Sequence, residues 1–405
     1  MYTLELPKKN GKVKVGIELE GHLIDLNGTV ANRIDDVVGH QNNDGSIIPE
    51  LAKSMFELVT PPYSDLDVTY SDLKTRLKML QSITNDLGLR VIPTSSIHNE
   101  SLIETRDDVR PRGKRKRVIL GDENRDLEHH LTGTHIHVDR LKGSELGYKQ
   151  FILMQAMDPV FSLMSSSPFF HGENSRKDYR VEIYRNKVFE DFPLQGQLWN
   201  YPESLSEAFE RQRDAYRQIK TILGDKGLDT KGITELNCVW GPLRLTDFGT
   251  IESRASDSNE LNNVVALAAL YKGVTEYLLA ENPEIIIDVN DEYKSGELFR
   301  ATFGRIVIPS YKRLKEFERL GIQKGLEDSD LTSYLANMLV TGSRGLDDPH
   351  YLSPFVQMIH DRKTFADDIV KESQRRGIEI NHRIDGDGAR QLRNYIADRY
   401  EASLN

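Results

Sequence analysis

Cysteine is almost missing from this sequence: Cys238 stands alone among 405 residues. That excludes an intrachain disulfide and a cysteine-built zinc site. Long apolar runs are also lacking, and none approaches the roughly 20 residues that a membrane-spanning helix requires. An excess of positive charge is absent too. The net charge of −10 has the wrong sign for a chain that grips phosphate backbones, so no nucleic-acid partner is expected. The amino terminus, Met-Tyr-Thr-Leu-Glu-Leu-Pro-Lys-Lys, has no charged stretch leading into an apolar run. No secretory signal is expected from it, and the expected location is cytoplasmic. Neither a P-loop nor a Rossmann glycine fingerprint occurs, which removes the two commonest phosphate-binding loops.

What is present begins at residues 15–20. Val15, Ile17 and Leu19 alternate with Gly16, Glu18 and Glu20, the period-two pattern of a half-buried strand. One face is apolar, and the other carries two carboxylates about 6–7 Å apart. Like charges that close are unfavourable without a counter-charge, and a divalent ion that prefers oxygen is the natural one. A wet outer face is the alternative on this hexapeptide alone.

Further along, residues 13–32 read as a hairpin with an Asn27-Gly28 turn. Phe56 and Leu58 flank Glu57 on a short strand closed by Pro61 and Pro62. Helical spacing runs over 72–87, 144–164 and 204–224, the last opened by a Ser204/Glu207 capping box. The basic run at 110–117 reads as a solvated loop, or as a loop that closes over an anion. His135, His137 and Asp139 share one face of a strand, with Ile136 and Val138 on the other. Two more strands are expected at 240–245 and 249–257, and in the second Glu252 and Arg254 share a face. The most apolar helix spans 261–279. After residue 282 the pattern turns helical, at 311–320, 328–340, 363–376 and 387–402. The expected organisation is a catalytic domain at 1–282 with a helical extension at 283–405 packed on it.

Three strands thus present polar groups on one face: Glu18 with Glu20, His135 with His137, and Glu252 with Arg254. Glu57 would add a fourth set. Several carboxylates with an imidazole suit magnesium or manganese better than zinc. Arg254 cannot ligate a cation, and a guanidinium beside a metal carboxylate points to an anion in transit, such as a phosphoryl group.

Five segments occur in a fixed order: Gly16-Ile-Glu-Leu-Glu20, Glu57-Leu-Val-Thr60, Gly133-Thr-His-Ile-His-Val138, Ser167-Pro-Phe-Phe-His-Gly172 and Gly249-Thr-Ile-Glu-Ser-Arg254. Together they resemble the glutamate–cysteine ligase type 2 family, the carboxylate–amine ligases related in fold to glutamine synthetase. The resemblance covers roughly residues 13–280. It implies an α+β fold: a curved antiparallel sheet, open like half a barrel, with helices on its convex side. It also implies ATP and Mg2+ (or Mn2+) in the funnel, and small-molecule substrates, glutamate and an amine or amino acid. By the same resemblance Glu18, His137 and Glu252 would hold one ion near the terminal phosphates. Glu20 and Glu57 would hold another near the substrate carboxylate, and Glu50 would be a ligand at a third site. Arg254 would stabilise the transferring phosphoryl group, and Arg180, of the Tyr179-Arg180 pair, would grip substrate or phosphate. Two departures are that the family's Gly-x-His-Pro-Phe segment is replaced by Pro93-Thr-Ser-Ser-Ile-His98, and that the stretch from Gly172 to Arg180 is short. Cysteine as the accepting amine is therefore left open, as is homo-oligomerisation. Two other functions remain on the table: a metal-dependent hydrolase using His135, His137 and the glutamates, and a non-catalytic nucleotide-binding relative.

Overall fold

The computed structural model describes residues 12–99, 101–106, 111–192, 194–378 and 383–404. The alternating segment at its amino-terminal end is β1 (Val15–Asp25). It is joined by β2 (Ile47–Pro49), β3 (Met55–Val59), β4 (Leu89–Ile92), β5 (Gly133–Asp139), β6 (Leu243–Leu245) and β7 (Thr250–Asp257) in one seven-stranded sheet. The order is β2-β3-β1-β5-β7-β6, with β4 also paired to β1, and every pairing is antiparallel. The sheet is open, as the sequence led one to expect.

β1 is long because it serves three neighbours. Its residues 18–22 pair with β3, while 15–19 pair with β5 and 22–25 with β4. Val15, Ile17 and Leu19 are fully buried and join Ile136, Val138 and Ile251 in the main core. The helix Leu261–Glu281 covers that face, with Leu66–Asp86 and Ser144–Ala156 beside it. A helix apolar on all sides must be covered on all sides, and the helix Ser329–Gly345 packs on its outer surface. The main core therefore runs across residue 282, from Val13 to Leu404.

Two expectations need correction. The basic stretch at 110–117 is no loop where it is described: residues Pro111–His129 are helical, broken only at Gly121 (φ 77°). Lys116 is drawn into the interior by Glu128, and Ile119 and Leu120 are buried in a second core with Ile183, Phe189 and Ile219. Charge density alone could not reveal that anchor. Arg110 lies outside the described residues. The carboxy-terminal part also contains a parallel pair, β8 (Glu284–Asp288) and β9 (Arg305–Pro309), and a further helix, Ser353–Asp361. Among the described residues, no helix is long and apolar enough to cross a membrane.

A third core joins β1 and β4 to the helices Phe365–Arg375 and Gly386–Ser403. His98 sits here, fully buried, its ring edge-on to Phe169 and neither ring nitrogen hydrogen-bonded. Burial, helped by the charge on Arg393, pushes its pKa down to about 3. The folded value lies below the ordinary 6.5, so this contribution to stability is complete above pH 6.5. It is lost as pH falls from 6.5 towards 3, by about 1.4 kcal/mol per unit. The stability difference between pH 7.5 and 5.5, from urea denaturation, should shrink by about 1.4 kcal/mol in His98→Gln. An unchanged difference would mean that His98 is solvated in the native state.

Candidate active site

Strand register assembles the polar face. Glu20 lies opposite Glu57, and Glu18 opposite His135. His137 pairs with Glu252, which pairs on its other side with Arg244. Ile48 lies opposite Glu57, so Glu50, two residues on, comes to the same face. A bulge between Thr134 and Ile136 sets two β7 residues, Arg254 and Ala255, against His135.

Two groups of ligand atoms result, each within 4.8 Å of one another: Glu18 with His135 and Glu252, and Glu20 with Glu50 and Glu57. His137 is held differently. Its Nε2 is 3.0 Å from Glu18 Oε1 and its Nδ1 is 3.0 Å from Thr250 Oγ1. His135 Nδ1 lies 3.0 Å from Glu18 Oε2 and 3.8 Å from Glu252 Oε1. The structure thus brings His137 to the site but places His135, opposite the bulge, in the tighter group.

The charges fit dications. Glu57 is held well above the usual carboxylate range by burial, then by Glu50, Glu18 and Glu20. An oxygen-seeking dication among these three carboxyl groups would supply the counter-charge that Glu57 lacks. Glu18 is different: burial opposes its ionisation, but hydrogen bonds from His135 and His137 hold its pKa low. Burial would likewise raise Glu252, yet Arg254 and Arg244 outweigh it and hold it at about 2. Arg244 Nε is 2.8 Å from Glu252 Oε2, while Arg254 pairs with Oε1. Glu252 is fully buried, so these two guanidiniums keep it ionised.

Arg180 arrives from outside the sheet. Ser167, of the Ser-Pro-Phe segment, donates from Oγ to Asp257 Oδ2 (2.7 Å) and accepts from the backbone N of Tyr179 and Arg180. This fixes the short helix Tyr179–Ile183 against the end of β7. Arg180 Nη1 then donates to the Arg254 carbonyl at 3.0 Å. Its guanidinium lies over Gly133, where a Cβ would come within 2.7 Å of Cζ. The obstructed atoms are the far end of a flexible side chain. Gly133→Ala should therefore cost under about 1 kcal/mol of stability and lower turnover about a hundredfold by displacing Arg180. Comparable losses of melting temperature and rate would refute that reading.

Two connected clefts meet at this face. One, of about 680 Å³, is lined by Glu20, Glu50, Glu128, Arg180, Tyr184 and Arg254. The other, of about 1000 Å³, runs from the carboxylates past Arg244 to Ile119, Ile233 and Trp240. Arg244, Glu128 and Trp240 were not singled out in the sequence as site residues, and Lys116 only as part of the basic run at 110–117. Arg244 was legible, since Leu243-Arg244-Leu245 alternates as Glu18 and Glu20 do. Glu128 and Lys116 carried no such signal. His129 is buried and also lines the smaller cleft.

Residues 14–301 match the family described as glutamate–cysteine ligase family 2. The chain belongs to that family. Among similar family 2 sequences, a Legionella pneumophila (strain Corby) protein bearing the name glutamate–cysteine ligase 2-2 is 26% identical over 290 residues, covering 68% of this chain and 71% of its own. A Rhodococcus jostii (strain RHA1) protein named as ligase 2-3 is 27% identical over 157 residues, 38% of this chain and 19% of its own. Similar folds include the glutamate–cysteine ligase of Francisella tularensis in complex with AMP, with TM-score 0.62, 12% identity, and coverage of 98% of this chain and 89% of that one. The bifunctional glutathione synthetase of Pasteurella multocida has TM-score 0.61 at 14% identity over 97% of this chain. This family 2 chain spans 53% of that longer protein. The fold expectation and the family resemblance are both borne out.

Proposed function

We propose that this chain is an ATP- and magnesium-dependent carboxylate–amine ligase that joins a carboxylate, glutamate by family likeness, to an amine through an acyl phosphate. The observation that supports it most is the adjacency of the Glu18/His135/Glu252 and Glu20/Glu50/Glu57 groups beneath Arg254 and Arg180. Binding of AMP by the Francisella relative adds support for a nucleotide in the larger cleft. When bound, magnesium would screen the repulsion between carboxylate and γ-phosphate, and ATP would supply the phosphoryl group. Glu18, Glu252 and a histidine would hold one ion, and Glu20, Glu50 and Glu57 the other. Arg254 stands at the seam of the two groups with its guanidinium fixed by Glu252, placed to stabilise charge on a phosphoryl group moving between them. Arg180, braced by Ser167 and Gly133, orients the carboxylate. Walls formed by Tyr184, Trp240 and Ile119 limit water, which would hydrolyse an acyl phosphate. Catalysis then rests on positioning and charge neutralisation.

The test is ADP release with ATP, magnesium and mixed amino acids and amines, with products identified by mass spectrometry. A condensed amide and one ADP per amide are expected. Metal-dependent cleavage without ATP, or nucleotide binding with no turnover on any mixture, would sink the proposal.

A further inference from the structure

The smaller cleft contains a carboxylate that the proposed ligase chemistry does not use. Glu128 lies in the last turn of the helix Pro111–His129 and is only 5% exposed. Its Oε1 is committed: Lys116 Nζ donates to it, and the Tyr184 hydroxyl stands 3.4 Å away. Its Oε2 is buried with no hydrogen-bond partner, and the residue lines the cleft. A buried carboxylate oxygen without a donor is unfavourable, the more so when the group is charged. Whatever fills the cleft gains by bringing that donor, most of all a positively charged one.

The surroundings specify the donor further. Tyr184 bridges two charges of opposite sign: the Arg180 guanidinium lies 5.0 Å from the centre of its ring, and its hydroxyl faces Glu128. Burial holds that phenol well above its ordinary pKa, so it stays neutral. The cleft therefore offers a cationic seat at Arg180 and an anionic one at Glu128, separated by about one tyrosine side chain. That is the charge pattern of an amino acid.

We propose that Glu128 seats an ammonium group of the substrate through Oε2, so that the cleft selects an amino-bearing substrate over the corresponding plain carboxylic acid. This deepens the ligase reading and rests on it for the word substrate. The ammonium has two sources: the α-ammonium of the carboxylate partner, or the accepting amine before it loses its proton.

Calorimetric titration separates these, using the full chain with magnesium and a non-hydrolysable ATP analogue. One arm compares L-glutamate with glutarate, the other L-cysteine with 3-mercaptopropionate, each pair differing by the amino group. The parent should bind at least one amino compound about ten- to a hundredfold more tightly than its partner. In Glu128→Gln, whose amide oxygen can still accept from Lys116, that pair should converge to within about threefold. The arm that converges names the ammonium. Equal binding within both pairs by the parent, no binding of any of the four, or undiminished discrimination in a Glu128→Gln protein of parental melting temperature overturns the proposal. The parent comparison decides alone if the variant fails to fold. Absence of ADP release counts against the ligase reading instead, because these titrations involve no turnover.

Discussion

Arg254→Ala should release ADP at least about a thousandfold more slowly than the parent, with nucleotide affinity changed far less. Removing one donor from a preorganised charge-stabilising site typically costs two to three decades, and an arginine on a transferring phosphoryl group three to five. The position makes the larger figure reasonable. Arg254 shares a strand face with Glu252 and pairs with its Oε1, which fixes its charge before any substrate arrives. The variant also removes one of the two cations that hold Glu252 near 2, so the carboxylate set proposed to bind metal is perturbed with it. Arg254→Lys should fall between the two, since it keeps the charge and loses the planar fork. Rapid-quench measurement of ADP at saturating magnesium checks this. A rate within tenfold of the parent would remove Arg254 from the chemistry.

The second large effect is structural. Gly273→Ala should destabilise the chain by about 3 kcal/mol, at the upper end of the range for overpacking. Gly273 lies on the helix Leu261–Glu281 where Ser329–Gly345 crosses it, and a Cβ there would collide with the Gly342 carbonyl, its carbon 2.9 Å away. Gly345 has the reciprocal clash, 2.7 Å from the Gly273 carbonyl carbon. Both obstacles are backbone, so relief requires shifting a whole helix. The sign is diagnostic. In a helix without this crossing, Gly→Ala adds up to about 1 kcal/mol of stability. Gly224 supplies the control, being helical with nothing within 4 Å of the place a methyl would take. Urea midpoints should move down for Gly273→Ala and up for Gly224→Ala. A rise in both would place the carboxy-terminal helices on looser terms with the sheet.

That crossing also shows how far a periodic reading extends. The helices at 311–320 and 328–340 were legible because apolar residues recur every three to four positions, and the one at 261–279 because it is apolar almost throughout. Their mutual packing was not legible, because glycine carries no periodic signal. β8 and β9 escaped for a related reason, since their short runs sit among turns and pair in parallel across a long connection. Within the site, Glu18, Glu20, Glu57, His135, His137, Glu252 and Arg254 declared themselves through period two, which alone puts polar groups on one face.

The amino-acid sequence by itself therefore determined which side chains face away from the core, and the order of motifs that marks family 2. It could not determine which strand lies beside which. Register decided that Glu18 meets His135 directly, and that Glu20 finds Glu57 rather than Glu252. The bulge between β5 and β7 decided how closely His135 approaches Arg254. Residues that act from other elements, Arg180 over Gly133 and Glu128 beside Lys116, became neighbours only when helices closed on the sheet. Local alternation is a property of a dozen backbone atoms, whereas a site is a property of contacts between segments far apart in the chain.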